Sequence, residues 1–208
     1  MEYLLCLIYR PVGREIMTRE EILEAAAQIF SQKGYHGTSM QDIAVAVNLQ
    51  KASLYYHISS KQELLLALLN EALDLLIQRI TQVADEPGAP EDKLRKAMCV
   101  YLETLAEYQD LAGVLLLEHR SLEPENQSLH FPKRDAFERI WLDMIQEGID
   151  QGVFTSAHPS LTARALLGVM NWTITWYRRD GVLTAQEISM QFADLFLHGL
   201  AARNETLR

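Results

Sequence analysis

An all-α fold is predicted for this 208-residue chain from three observations. Helix-start signatures of the form Ser/Thr-x-x-Glu stand at Thr18, Ser60 and Thr184. Apolar residues recur three and four positions apart after each of those starts, the spacing that gives a helix one buried face. No segment alternates apolar and polar residues for long enough to claim a strand. The predicted organisation is an extension over 1–17, a small three-helix unit over 18–62 and a larger helical body over 63–208.

Residues 1–17 open with an apolar run, Tyr3 to Tyr9, followed by Arg10 and Arg14. The run lacks a basic lead and a small-residue cleavage site, so a secretory signal is a poor fit. An arm that packs on the body or a partner, a disordered lead, and an upstream start with Met17 as the natural initiator all remain open.

The first helix is predicted to start at Thr18, where Thr18-Arg19-Glu20-Glu21 fits a capping box. Its stripe is Ile22, Ala26, Ile29 and Phe30, and it ends at Gly34. Ser39 caps a second helix that buries Met40, Ile43, Ala44 and Val47. Asn48 tolerates the left-handed conformation of a sharp turn, and Leu49 pegs that turn to the helix before it. Gln50 to His57 forms the next helix, and Ser60-Lys61-Gln62-Glu63 starts a fourth.

The fourth helix is dense in Leu and Ala from Leu64 to Ile80 and ends by Asp85, before the loop Pro87-Gly88-Ala89-Pro90. Glu91 to Tyr108 is the next helix, and Asp110 to Arg120 a short apolar one. Ser121 to Ser128 reads as a polar loop, with Pro132 opening a helix that carries Phe137, Ile140, Trp141, Met144 and Ile145. His158-Pro159-Ser160 begins a helix expected to end at Gly181, and Thr184-Ala185-Gln186-Glu187 begins the last.

Two short helices, a tight turn and a polar, aromatic-rich second helix between Ser39 and Lys61 make the layout of a helix-turn-helix DNA reader. Gln50, Lys51, Ser53, Tyr55, Tyr56 and His57 offer donors and rings to base edges and phosphates, while Ala52 permits close approach. Lys61 lies in a first helical turn, where a phosphate is favoured, and Arg10, Arg14 and Arg19 can follow phosphates or a minor groove. A surface helix with a partly buried aromatic pair is the plainer reading of the same residues.

Ile22-Leu23-x-Ala25-Ala26-x-x-x-Phe30, Lys33-Gly34-Tyr35, Thr38-Ser39, Asp42-Ile43-Ala44 and Ser53-Leu54-Tyr55-Tyr56-His57 followed by Ser60-Lys61 resemble the N-terminal domain of TetR-type transcriptional regulators. The resemblance spans about Thr18 to Leu68 and fixes many residue types at set spacings. Asn48 departs from the family's usual Gly and Ile58 from its usual Phe. The resemblance implies a bacterial cytoplasmic homodimer in which paired N-terminal domains grip a palindromic double-stranded operator, while the larger domain dimerises and binds a small effector. Carried onto this sequence, the DNA-binding candidates are Arg19, Thr38, Ser39, Gln50, Lys51, Ser53, Tyr55, Tyr56, His57 and Lys61.

Leu166, Gly168, Val169, Trp172 and Trp176 on one late helix, with Phe192, Leu195, Phe196 and Gly199 on the last, form an apolar and small-residue surface suited to dimerisation. Ordinary core is the alternative. Met98, Tyr101, Leu102, Leu105, Leu116, Phe137, Trp141, Met144 and Trp172 are candidates to line an effector cavity, since Met and aromatics adapt to varied ligands. Asn171, Thr175, His119 and Arg120 are candidate polar handles. Such residues also suit plain core. The stretch from Asn171-Trp172 to Gly181 resembles the C-terminal part of TetR-type regulators of fatty-acid and steroid degradation. That resemblance implies a lipophilic effector such as a fatty acyl-CoA, with a basic residue meeting its phosphates.

The net charge of −9 and pI near 5.1 oppose a DNA partner at long range, but their distribution answers much of the objection. Residues 1–61 carry six basic and six acidic side chains, so the excess of acid lies beyond them. Catalytic motifs are missing: there is no G-x-x-x-x-G-K-[ST], G-x-G-x-x-G or H-E-x-x-H, and the six His are scattered. No cofactor, metal or membrane partner is expected. Cys6 and Cys99 form no C-x-x-C and suit reduced cytosolic thiols. Two function classes stay open: a ligand-responsive repressor, or a helical ligand-binding or scaffold protein with a weak DNA head, or else a TetR-like activator without effector.

Overall fold

The structure, a computed structural model, describes residues 18–198. The predicted extension over 1–17, Gly199 and Leu200 lie outside the described residues. Those described form nine α-helices and no strand: α1 Arg19–Lys33, α2 Met40–Ala46, α3 Lys51–His57, α4 Lys61–Ala84, α5 Pro90–Glu107, α6 Gln109–Gly113, α7 Pro124–Asp150, α8 Pro159–Trp172 and α9 Ala185–His198. None is long and apolar enough to cross a membrane.

The helices of the head begin and end on local chemistry. Thr18 Oγ1 accepts the Glu21 N–H while the Glu21 carboxylate accepts the Thr18 N–H. Gly34, at φ 75°, ends α1 in a conformation that penalises a Cβ. Ser39 caps α2 in a reciprocal exchange with Asp42. Ser60 caps α4 by accepting the Glu63 N–H, but the Glu63 carboxylate turns back one residue further, to the N–H and hydroxyl of Ser59.

α4 is the spine of the molecule. Leu64, Leu65 and Leu68 join the core of α1 to α3, and Leu73, Leu76 and Ile80 continue it among α5 and α7. Burial on this scale is the main favourable term in folding.

The body departs from three expectations. α7 begins at Pro124, so Pro132 lies inside it and the expected polar loop is mostly helix. A residue before proline is pushed to extended backbone, which makes Glu123, at ψ 155°, the N-cap and Pro124 the first helical residue. The carbonyl that Pro132 leaves free belongs to Ser128, which is exposed to water. The segment after α6 is a π-helical turn, Val114–Glu118, then a 3₁₀ turn, His119–Ser121, rather than a plain α-helix. α8 stops at Trp172 instead of reaching Gly181. Thr173 and Thr175 turn their hydroxyls back onto the carbonyls of Met170 and Trp172, and a 3₁₀ turn replaces the helix there.

Candidate DNA interface and effector cavity

α2, a turn and α3 build the reading head. Asn48 takes φ 53°, the left-handed conformation the turn needs, and the Leu49 N–H reaches back to the Ala44 carbonyl at 2.8 Å. Leu54 and Ile58 are fully buried and fasten α3 to the core. The opposite face is open: Gln50, Lys51, Ser53, Tyr55 and Tyr56 are exposed, Tyr56 at 89%, with His57 half-buried beside it. The Lys51 ammonium stands 5.9 Å from the Tyr55 ring centre, and the Tyr56 and His57 rings meet edge to face. This short helix therefore offers side-chain donors and rings on a firmly anchored backbone.

Polar groups behind α3 are committed to holding the head together. Lys61 Nζ donates to the carbonyls of Tyr35 and Thr38 at 2.8 and 2.7 Å and lies 4.1 Å from the Tyr35 ring centre. Partial burial pushes its pKa down. An ammonium has three N–H bonds, so one remains for a phosphate. Thr38 is buried, and its hydroxyl donates to the Gly34 carbonyl, so this predicted DNA contact is a turn brace whose side chain does not face outward. Ser39 is exposed at the start of α2.

Hydrogen bonds from the Ser39 hydroxyl and backbone, helped by Lys33 at 3.4 Å, hold the Asp42 carboxyl down at about 2. Lys33 is thus paired, while Arg19 and Lys51 make no ion pair among the described residues. Gln41 is likewise exposed, in the first turn of α2.

The larger domain contains a cleft of about 400 Å³ between α4, α5, the π-helical turn, α7 and α8. Tyr101, Leu116, His119, Phe137, Asn171, Trp172 and Thr175 line it as the sequence suggested. The Tyr101 hydroxyl donates to Asn171 Oδ1 at 2.5 Å, and burial raises its pKa, which keeps it a neutral donor. His119 and His130 face the same space. Burial first, then neighbouring cations, lowers both pKa values and holds the imidazoles toward the neutral form.

Met98, Leu102, Leu105, Trp141 and Met144 do not line this cleft. They are core, because α5 and α7 turn them toward helix neighbours; Trp141 packs edge-on against Tyr101 and Phe137 with its indole N–H unpaired. Missing from the expected lining are Leu73, Leu115, Leu117, His130, Arg134, Glu138, Arg164, Leu167 and Ile174. The signal was present as spacing: 130, 134, 137 and 138 share one face of α7, and 164, 167, 168 and 171 one face of α8. Charged residues in those rows read as solvated surface.

A second, more polar hollow of about 460 Å³ adjoins the cleft, sharing Arg134, Glu138, Arg164 and Leu167 and adding Asp135, Arg139, Leu142, Ser160 and Ala163. Three guanidinium groups, two of which also line the cleft, therefore gather in the hollow with the carboxylates of Asp135 and Glu138. Arg164 lies 3.6 Å from Glu138, and Arg134 donates to Asp135 at 3.2 Å while its Nε is buried without a partner.

On the predicted dimer face, Val169, Trp176 and Leu195 are exposed, with Phe192 and Phe196 half-buried. Leu166 instead points into the core, and Gly168 lines the cleft. Trp172, 66% exposed, borders both the cleft and this face.

An anchored helix-turn-helix head on a helical domain with its own ligand-sized cleft defines a DNA-binding regulator. Residues 22–68 match the family described as bacterial regulatory proteins, tetR family, and residues 87–200 the tetracyclin repressor-like C-terminal domain. The chain belongs to the TetR family of transcriptional regulators. It is 28% identical to the HTH-type transcriptional repressor KstR2 of Mycobacterium tuberculosis over 193 residues, 92% of this chain and 96% of that protein. The crystal structure of the TetR-family regulator PfmR from Thermus thermophilus superposes with a TM-score of 0.81 at 36% identity, covering 87% of this chain and 99% of that one. AibR in complex with isovaleryl coenzyme A and operator DNA gives 0.80 at 28% identity, covering 86% and 98%.

Proposed function

We propose that this chain is a ligand-responsive transcriptional repressor that grips a palindromic operator as a homodimer and releases it when a lipophilic effector with an anionic head, an acyl-CoA thioester, enters the body. The observation that carries the effector class is the joining of the apolar cleft to the arginine-rich hollow, Arg134, Arg139 and Arg164. An acyl chain suits Leu73, Leu115, Leu116 and Phe137, and guanidinium forks suit phosphates. AibR, similar over nearly its whole length, has been seen with both isovaleryl coenzyme A and operator DNA.

Dimerisation through α8 and α9 fits the exposed Val169, Trp172, Trp176 and Leu195, which would otherwise leave an apolar patch in water. Two heads held about 34 Å apart, one turn of DNA, then read successive major grooves through α3. The effector acts only through its difference in affinity for the DNA-competent and released arrangements. Calorimetry comparing palmitoyl-CoA, palmitate and free CoA tests the ligand class. The thioester should bind more tightly than either half, and Arg134→Ala with Arg164→Ala should remove most of its advantage over palmitate. Equal binding of palmitate and palmitoyl-CoA would refute the assignment of the arginines.

A further inference from the structure

We infer that Gln62 is a positioning residue, its side-chain amide forming the joint through which the effector cleft acts on the reading head. The inference rests on the reading of the cleft as the effector site. A carboxamide has two N–H donors and two acceptor lone pairs, and Gln62 has all of them engaged, one with the head and three with the body. Nε2 donates to the Tyr35 hydroxyl at 2.9 Å and to the Ser121 carbonyl at 2.8 Å. Oε1 accepts from the Glu123 N–H at 3.1 Å and from Asn126 Nδ2 at 3.3 Å.

On the head side, Tyr35 is packed against Phe30 and His36, and its carbonyl is held by Lys61 together with that of Thr38, the residue just before the cap of α2. A displaced Tyr35 therefore bears on the start of α2. On the body side, the bonded stretch Ser121–Asn126 connects two walls of the cleft along the chain. Upstream lie Leu115, Leu116 and His119, downstream His130 and Arg134.

The upstream wall is the π-helical turn Val114–Glu118, whose wider turn has a discrete alternative in α-helical register. An occupant pressing on Leu116 shifts that register rather than compressing a packed core. The Gln62 bonds span 2.8–3.3 Å in the present register, and such bonds weaken steeply as they lengthen. Filling the cleft strips the body-side bonds from Gln62 and frees Tyr35.

The test is a mutant cycle read as affinity for DNA selected by the wild-type protein from a random pool. Leu116→Trp serves as a built-in occupant that needs no knowledge of the natural ligand. It should weaken operator binding tenfold or more in the wild-type background, and less than twofold when combined with Gln62→Leu. Tyr35→Phe removes only the head-side bond, keeps the ring packing, and should blunt the effect of Leu116→Trp in the same way. The same factor in all three backgrounds, or no effect of Leu116→Trp beside an intact Gln62, overturns the proposal. Calorimetry with palmitoyl-CoA on the wild-type protein stands apart. If it shows no binding while the cycle behaves as expected, the ligand class falls and the role of Gln62 stands.

Discussion

The head and the body of this molecule solve opposite problems. In the head, polar groups are answered at close range: Thr18 by Glu21, Ser39 by Asp42, Thr38 by Gly34, and Lys61 by two carbonyls. The body keeps a cleft of about 400 Å³, a π-helical turn, a proline inside α7, and unpaired polar atoms on Arg134 and Trp141. A reading tool gains from one rigid arrangement, because misplaced donors lose base contacts. A sensor gains from unspent space and discrete alternatives, because only a difference between states can be driven by a ligand.

The sharpest break of this comparison is Leu54→Ala. Emptying that fully buried site in the head should cost about 2–5 kcal/mol, whereas Leu116→Ala on the cleft wall should cost well under that, since its neighbour is already a void. Urea unfolding of each variant measures the contrast. Equal losses would mean that the cleft is as tightly packed in solution as the head.

Next in size, Lys61→Ala should weaken operator binding about tenfold for all sequences, with a salt slope shallower by about 1 if its third N–H meets a phosphate. A uniform loss with an unchanged slope would leave Lys61 as a brace of the Tyr35–Thr38 turn alone. Gln50→Ala and Tyr55→Phe should change preference among operator variants more than overall affinity, by about 1–3 kcal/mol at the bases concerned. Binding assays on a panel of single-base substitutions read this out, and a flat panel would remove both from direct readout.

The smallest effects are those of pH, and they separate the two regions. Asp42 has its pKa depressed to about 2, so its stabilising share is present above the ordinary carboxylate range near 4 and is lost as pH falls toward 2. His119 and His130 also have lowered pKa values, so the folded body resists protonation and loses stability as pH falls below about 6.5, the ordinary imidazole value. Followed by residue-resolved NMR, the body should soften in mild acid and α2 only in strong acid. Asp42→Asn should flatten the second step and leave the first.

The head was legible in the sequence because its geometry follows from local rules. Ser39 caps and Asn48 takes the turn, each within a few residues of its partner, and Leu54 and Ile58 are the apolar positions of an otherwise polar segment that anchor it to the core. The body was less so, because its features depend on distant packing. Nothing local separates Trp141, in the core, from Phe137, on the cleft, or marks Arg134 as a cleft residue rather than a solvated one. Pro132 reads as a helix start by the same rule that Pro124 in fact satisfies, and only the intervening residues, helical in context, decide between them.

The most direct measurement is release of operator DNA, followed by fluorescence anisotropy, as palmitoyl-CoA is titrated into the protein–DNA complex. The expected result is full release at about one ligand per subunit, at concentrations where calorimetry shows the cleft filling. A complex that stays intact with the cleft saturated would contradict the coupling of body to head.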